Sequence, residues 1–182
     1  KKMVYHLALD LETTALYGNE GIITCYAIVG QDNTVFANVL ENEADEKELL
    51  AQFMKELWNV NLKYPSLKII TYNGTAFDFP MLITRFIELD LLHELARFKK
   101  NFTPSKHLDL YLVAKNNILI KSRALKELCE YLGIEYRVGS ETPLELWQQH
   151  KLEPLKNYCV DHATLLHKIR KKFIELNILE RD

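Results

Sequence analysis

The sequence predicts an α/β fold, a mixed β-sheet flanked by helices. Three observations lead there. The chain opens with three β-rich runs, a further apolar strand follows a helical segment, and the second half carries its apolar residues mostly at helical spacing. The order β, β, β, α, β, α, then helices fits an α/β sandwich.

The opening runs Val4 to Leu11, Ile22 to Val29 and Thr34 to Leu40 are separated by the turn formers Gly18, Gly21, Gly30, Asp32 and Asn33, the pattern of an antiparallel meander. From Asp45 to Val60, Leu49, Leu50, Phe53, Met54 and Leu57 recur at helical spacing, and Leu67 to Tyr72 then reads as a buried fourth strand. A helical crossover between strands favours a parallel neighbour. Pro80 to Leu89 reads as a helix, with Pro80 near its start where proline is tolerated. A short fifth strand at Lys106 to Leu108 precedes Asp109, a plausible cap for a helix to about Lys115. Helices are expected over Ser122 to Leu132, stopped by Gly133, over Pro143 to Gln149, and from about Pro154 to Leu176.

At 182 residues and 48% hydrophobic content, the chain suits one domain over residues 3–182, with Lys1 and Lys2 set aside. No apolar run is long enough to span a bilayer and no secretory leader opens the sequence, so no membrane role and an intracellular, cytoplasmic location are expected. Cys25, Cys129 and Cys159 are scattered without a CxxC pair, which reads as buried reduced thiols. A net charge of −2 supplies no global field for a polyanion, so any such surface is local. Between Arg97 and Lys126, eight basic residues stand against the single acid Asp109, either a steering surface or ordinary solvated lysines.

Asp10 and Glu12 end the first apolar strand. Alternate side chains share a strand face, so the two carboxylates lie about 7 Å apart along the strand. Acids held that close repel unless a cation sits between them, and hard divalent cations take oxygen ligands while leaving positions for water and phosphate. Asp78 follows the fourth strand in Asn73-Gly74-Thr75-Ala76-Phe77-Asp78, where ligands of α/β sheets gather, although a helix cap is an equal reading. On the last helix Tyr158 shares a face with Asp161 or His162.

These residues carry a family resemblance over nearly the whole chain. It resembles the DEDD 3′-to-5′ exonucleases of the ribonuclease H-like superfamily, most closely the predicted exonuclease domains related to family B polymerase proofreading domains. Asp10-Leu11-Glu12-Thr13-Thr14 looks like the first exonuclease motif, Asn73 with Phe77-Asp78-Phe79-Pro80 like the second, and Tyr158 stands where the third motif's tyrosine belongs. The resemblance implies a ribonuclease H-like five-stranded mixed sheet and stepwise removal of nucleotides from a single-stranded 3′ end of DNA or RNA. It also implies two Mg²⁺ or Mn²⁺ ions on Asp10, Glu12, Asp78 and a fourth ligand, with Tyr158 positioning the attacking water. Thr13, Thr14, Leu16, Asn73 and Phe77 would meet the terminal nucleotide. A place within or beside a larger DNA-processing protein is likewise implied.

The third motif departs from Tyr-x-x-x-Asp: His162 stands four residues after Tyr158, and Asp161 three. Either His162 is the fourth ligand or a local shift brings in Asp161, which a hard cation's preference for oxygen favours. A histidine would move the site toward Mn²⁺ or Zn²⁺. The competing reading is a degenerate nucleic-acid-binding or scaffolding module on the same fold.

Overall fold

The computed structural model describes residues 3–182. A five-stranded sheet is built from β1 (Tyr5–Thr13), β2 (Ile23–Gly30), β3 (Val35–Val39), β4 (Leu67–Thr71) and β5 (His107–Asp109), in the spatial order β3-β2-β1-β4-β5. The meander β1, β2, β3 is antiparallel, whereas β4 and β5 run parallel to β1, because helical crossovers connect them. The helices are α1 (Glu46–Lys63), α2 (Asp78–Glu88), α3 (Leu92–Asn101), α4 (Leu110–Asn117), α5 (Leu125–Leu132), α6 (Pro143–Gln148) and α7 (Leu152–Glu175). The predicted elements are all present. α3, where the sequence reading placed no element, adds one more.

Period-two alternation on β1 sorts the core. Tyr5, Leu7, Leu9 and Leu11 face large apolar residues of α1, α2 and α3, including Phe53, Phe86 and Phe98. Ala8 points to the opposite face and joins Cys25, Ala27, Ile70, Cys159 and Ala163 beneath α7. Asp10 and Glu12 follow Ala8 in alternation, so they emerge on the α7 side at the end of the strand. The three cysteines are buried and unpaired, as their spacing predicts.

The β1–β2 pairing slips between Glu12 and Thr13: Glu12 lies opposite Cys25 and Thr13 opposite Ile23, leaving Thr24 as an extra residue. Such bulges re-aim a strand end. Thr24 is buried and its hydroxyl donates to the Glu12 carbonyl, fixing the bulge where Glu12 projects.

The loop after β1 is tied down by a buried ion pair. Arg85 of α2 grips Glu46, the first residue of α1, through Nε (2.8 Å) and Nη2 (2.6 Å), and its Nη1 donates to the Gly18 carbonyl (2.7 Å). Glu46 also accepts from the Ile23 amide at 2.9 Å. Three hydrogen bonds to the Glu46 carboxylate, with the Gly18 carbonyl accepting from Arg85, offset the desolvation of both charges. Truncating one partner strands the other, so Glu46→Ala is expected to destabilise the protein by about 3–5 kcal/mol. A chemical-denaturation midpoint within error of the wild type would reject this role for the pair.

Candidate active site

Asp10, Glu12 and His162 converge at the carboxyl end of β1. Each offers one ligand atom, and these atoms lie within 4.8 Å of one another. His162 Nδ1 is 3.8 Å from Asp10 Oδ2 and 3.8 Å from Glu12 Oε1. The side chains are only 22% exposed at Asp10 and 14% at Glu12 and His162, so water solvates their charges poorly.

Asp78, buried as the first residue of α2, completes the acidic cluster. It is not the helix cap; Phe77 holds that position. The turn that delivers it is shaped by residue type. Asn73 adopts φ +62°, a left-handed conformation that asparagine tolerates. A Cβ on Gly74 would fall 2.3 Å from the Thr71 hydroxyl, so only glycine passes there. Asp109, at the end of β5, accepts from the amides of Asn73 (2.8 Å) and Thr75 (3.0 Å), and it caps α4 through the Tyr111 amide. One buried carboxylate thus couples the turn before Asp78 to the edge strand.

Burial raises the pKa of all three acids, and neighbouring carboxylates raise Asp10 and Asp78 further. Asp10 is pushed well above the carboxylate range by burial, then by Glu12 and Asp78. Glu12 is pushed up to about 7 by burial. Asp78 is pushed up to about 8, mainly by burial and further by Glu12 and Asp109, with the Leu11 amide partly offsetting. Burial pushes His162 down to about 4, so the imidazole is neutral at pH 7. Tyr158 is raised by burial, Tyr136 and Glu12, which keeps its hydroxyl protonated.

The donor set fits a divalent cation. Asp10 Oδ2 is buried and accepts no hydrogen bond among the described residues, a costly state unless a positive charge meets it. Two carboxylates and a neutral imidazole are ligands that Mg²⁺, Mn²⁺ or Zn²⁺ accepts, the nitrogen favouring the latter two.

Asp161 stands apart from this cluster. The preference of hard cations for oxygen favours it over His162, yet it lies on the exposed side of α7, outside the group that faces Asp10 and Glu12. α7 packs on the sheet through Leu155, Cys159, Ala163 and Leu166. A turn of 100° per residue then leaves His162, beside Ala163, facing the strand end and swings Asp161 outward.

The residues expected at the nucleotide have mixed placements. Thr13 donates to the Ala15 carbonyl and the Thr14 hydroxyl accepts from the Ile22 amide, so both hydroxyls brace the loop. Leu16 is exposed and lines a cleft of about 230 Å³ with Phe77, Ala76 and Pro80, between the loop and α2. Asn73 is exposed and acts through its backbone. Tyr158 lies against the His162 ring, centroids 4.4 Å apart.

Tyr136 escaped the sequence reading. It sits in the irregular segment after α5, and its hydroxyl is 2.9 Å from His162 Nε2. No periodicity marks such a position. Three members of the basic run are engaged locally: Arg97 stacks over Trp58, Lys106 donates to Asn61, and Arg123 donates to the Ile118 carbonyl.

The fold and the site define an α/β domain with an acidic cluster beyond the end of its central strand. The chain belongs to the RNase_H superfamily, whose family model matches residues 7–174. It is similar to a DNA polymerase of Thermococcus litoralis, 26% identical over 201 residues, covering 93% of this chain and 11% of the polymerase. A DNA polymerase of Pyrococcus glycovorans is 24% identical over 196 residues, covering 93% of this chain and 25% of the polymerase. The structure of the family B DNA polymerase from the hyperthermophilic archaeon Pyrobaculum calidifontis matches 96% of this chain and 25% of its own, with a TM-score of 0.76 and 19% identity. The chain thus spans a quarter or less of the length of these polymerases. Among the described residues, no helix is long and apolar enough to cross a membrane.

The raised acids set a pH dependence. A carboxyl whose folded pKa exceeds its unfolded one keeps its proton longer in the native state, so stability falls as pH rises from the unfolded value up to the folded one and levels off above it. His162 acts oppositely, losing stability only as pH falls below about 6.5. Between pH 6.5 and 8.5 the carboxyls dominate. The metal-free protein is expected to lose roughly 1–3 kcal/mol over that interval, and Asp10→Asn to flatten the slope. Denaturation with EDTA at several pH values checks this; a wild-type stability constant from pH 6.5 to 8.5 would refute the charge crowding.

Proposed function

We propose that this protein is a metal-dependent 3′-to-5′ exonuclease acting on single-stranded DNA ends. Membership of the RNase_H superfamily and similarity to DNA polymerases support a nuclease-type function. The observation that carries the finer reading is the orphaned oxygen of Asp10 within the Asp10, Glu12 and His162 cluster.

Asp10, Glu12, His162 and Asp78 would hold two divalent cations, Mg²⁺ or Mn²⁺. When bound, such ions lower the pKa of water and neutralise charge on a phosphodiester in transition. The chain's own residues supply position. Tyr158, protonated at neutral pH, orients a water or phosphate oxygen by donating a hydrogen bond and is a poor base. The cleft between Leu16 and Phe77 admits a terminal base once it has left its stack, and aromatic stacking there is sequence-tolerant. The Arg85 and Glu46 pair holds the loop carrying Leu16 in place, so the binding edge is largely formed before substrate arrives.

A 5′-labelled single-stranded oligonucleotide tests the reading. A ladder of shortened products is expected with Mn²⁺ or Mg²⁺, none with EDTA, none from Asp10→Ala, and no cleavage of a circular strand. Leu16→Ala is expected to raise KM more than it lowers kcat. Absence of cleavage with every metal would reject the exonuclease and favour the binding module; cleavage of the circle would indicate an endonuclease.

A further inference from the structure

We propose that Tyr136 is a positioning residue: it holds the Nε2–H of His162, presents Nδ1 as a metal ligand, and so biases the centre toward Mn²⁺ over Mg²⁺. The inference rests on the reading of Asp10, Glu12 and His162 as a cation site.

The argument is one of tautomers. A neutral imidazole carries one proton, and the nitrogen without it is the ligand or acceptor. His162 Nε2 is 2.9 Å from the Tyr136 hydroxyl, and Nδ1 is 3.8 Å from a carboxylate oxygen of both Asp10 and Glu12. With the proton on Nδ1, the N–H would point at oxygens too distant for a hydrogen bond and would block coordination. With the proton on Nε2, it is donated to the Tyr136 oxygen, and the Nδ1 lone pair faces two carboxylates. That arrangement is repulsive alone and attractive around a cation. The buried Asp10 Oδ2 without a partner points to the same missing charge. Tyr136 therefore does for His162 what carboxylates or carbonyls commonly do for metal-bound histidines, fixing tautomer and ring orientation. Nitrogen in the first coordination position favours Mn²⁺ over the harder Mg²⁺.

Three readouts test this without relying on catalysis. Nitrogen NMR of the protein loaded with diamagnetic Zn²⁺ is expected to show His162 protonated at Nε2 and metal-bound at Nδ1; a proton on Nδ1 in the loaded protein would overturn the proposal whatever any variant does. Pulsed EPR of bound Mn²⁺ is expected to show coupling to a histidine nitrogen in the wild type and none in His162→Asp. Equilibrium titration is expected to show Tyr136→Phe weakening Mn²⁺ binding about tenfold to a hundredfold, with a smaller change for Mg²⁺. In His162→Asp the preference should move toward Mg²⁺ and become insensitive to Tyr136→Phe. If the wild type binds Mn²⁺ and Tyr136→Phe binds it equally well, this inference fails while the cation site stands. If the wild type binds no divalent cation, both readings fail.

Discussion

The close approach of α7 to the sheet is the constraint on which the site depends. Cys159 and Ala163 on the helix meet Ala8, Cys25 and Ala27 on β1 and β2, all fully buried and all small. The Cys159 thiol comes near enough to donate to the Asp10 carbonyl at 3.3 Å. Larger residues at these positions would push the helix outward, because close-packed interiors absorb added volume only by moving elements. His162 and Tyr158, on the adjoining stripe, would then lose their reach to the carboxylates. The opposite face, filled by Tyr26, Phe53, Phe86 and Phe98, carries the bulk of the large apolar side chains instead.

Around that contact the fold concentrates negative charge where water is scarce. Asp10 and Glu12 come from β1 and Asp78 from α2, and Glu12 raises the cost of ionising both aspartates, as Asp78 raises that of Asp10. Such crowding opposes stability in the metal-free protein, and clusters of perturbed acids are typical of functional sites. The supporting parts are rigid by comparison. The Thr24 bulge aims Glu12, Asp109 shapes the turn before Asp78, and the Arg85 and Glu46 pair fixes the loop beyond β1. Each is a buried polar group with its hydrogen bonds made, so position is held by satisfied chemistry and not by packing alone.

Much of this was legible in the sequence. The strand alternation that puts Asp10 and Glu12 on one face is a local property, and so are the turn signals around Asn73 and Gly74 and the capping role of Asp109. The resemblance to exonucleases rests on these local motifs, and the five-stranded sheet it implied is the one observed. The choice between Asp161 and His162 was not legible. Both lie within helical reach of Tyr158, and chemical preference pointed to the carboxylate.

By itself the sequence determined every element but α3, the order in which they follow, and which acids share a strand face, because those follow from steric periodicity within a few residues. The tertiary structure alone decided that His162 faces the acids, that Tyr136 reaches it from an irregular segment, and that Arg97, Lys106 and Arg123 of the basic run are engaged in separate local contacts. The physical reason is that periodicity fixes a side chain's angle about its own element. The rotation and distance at which that element docks are set by packing against residues more than a hundred positions away, as Cys159 does against Ala8 and Asp10.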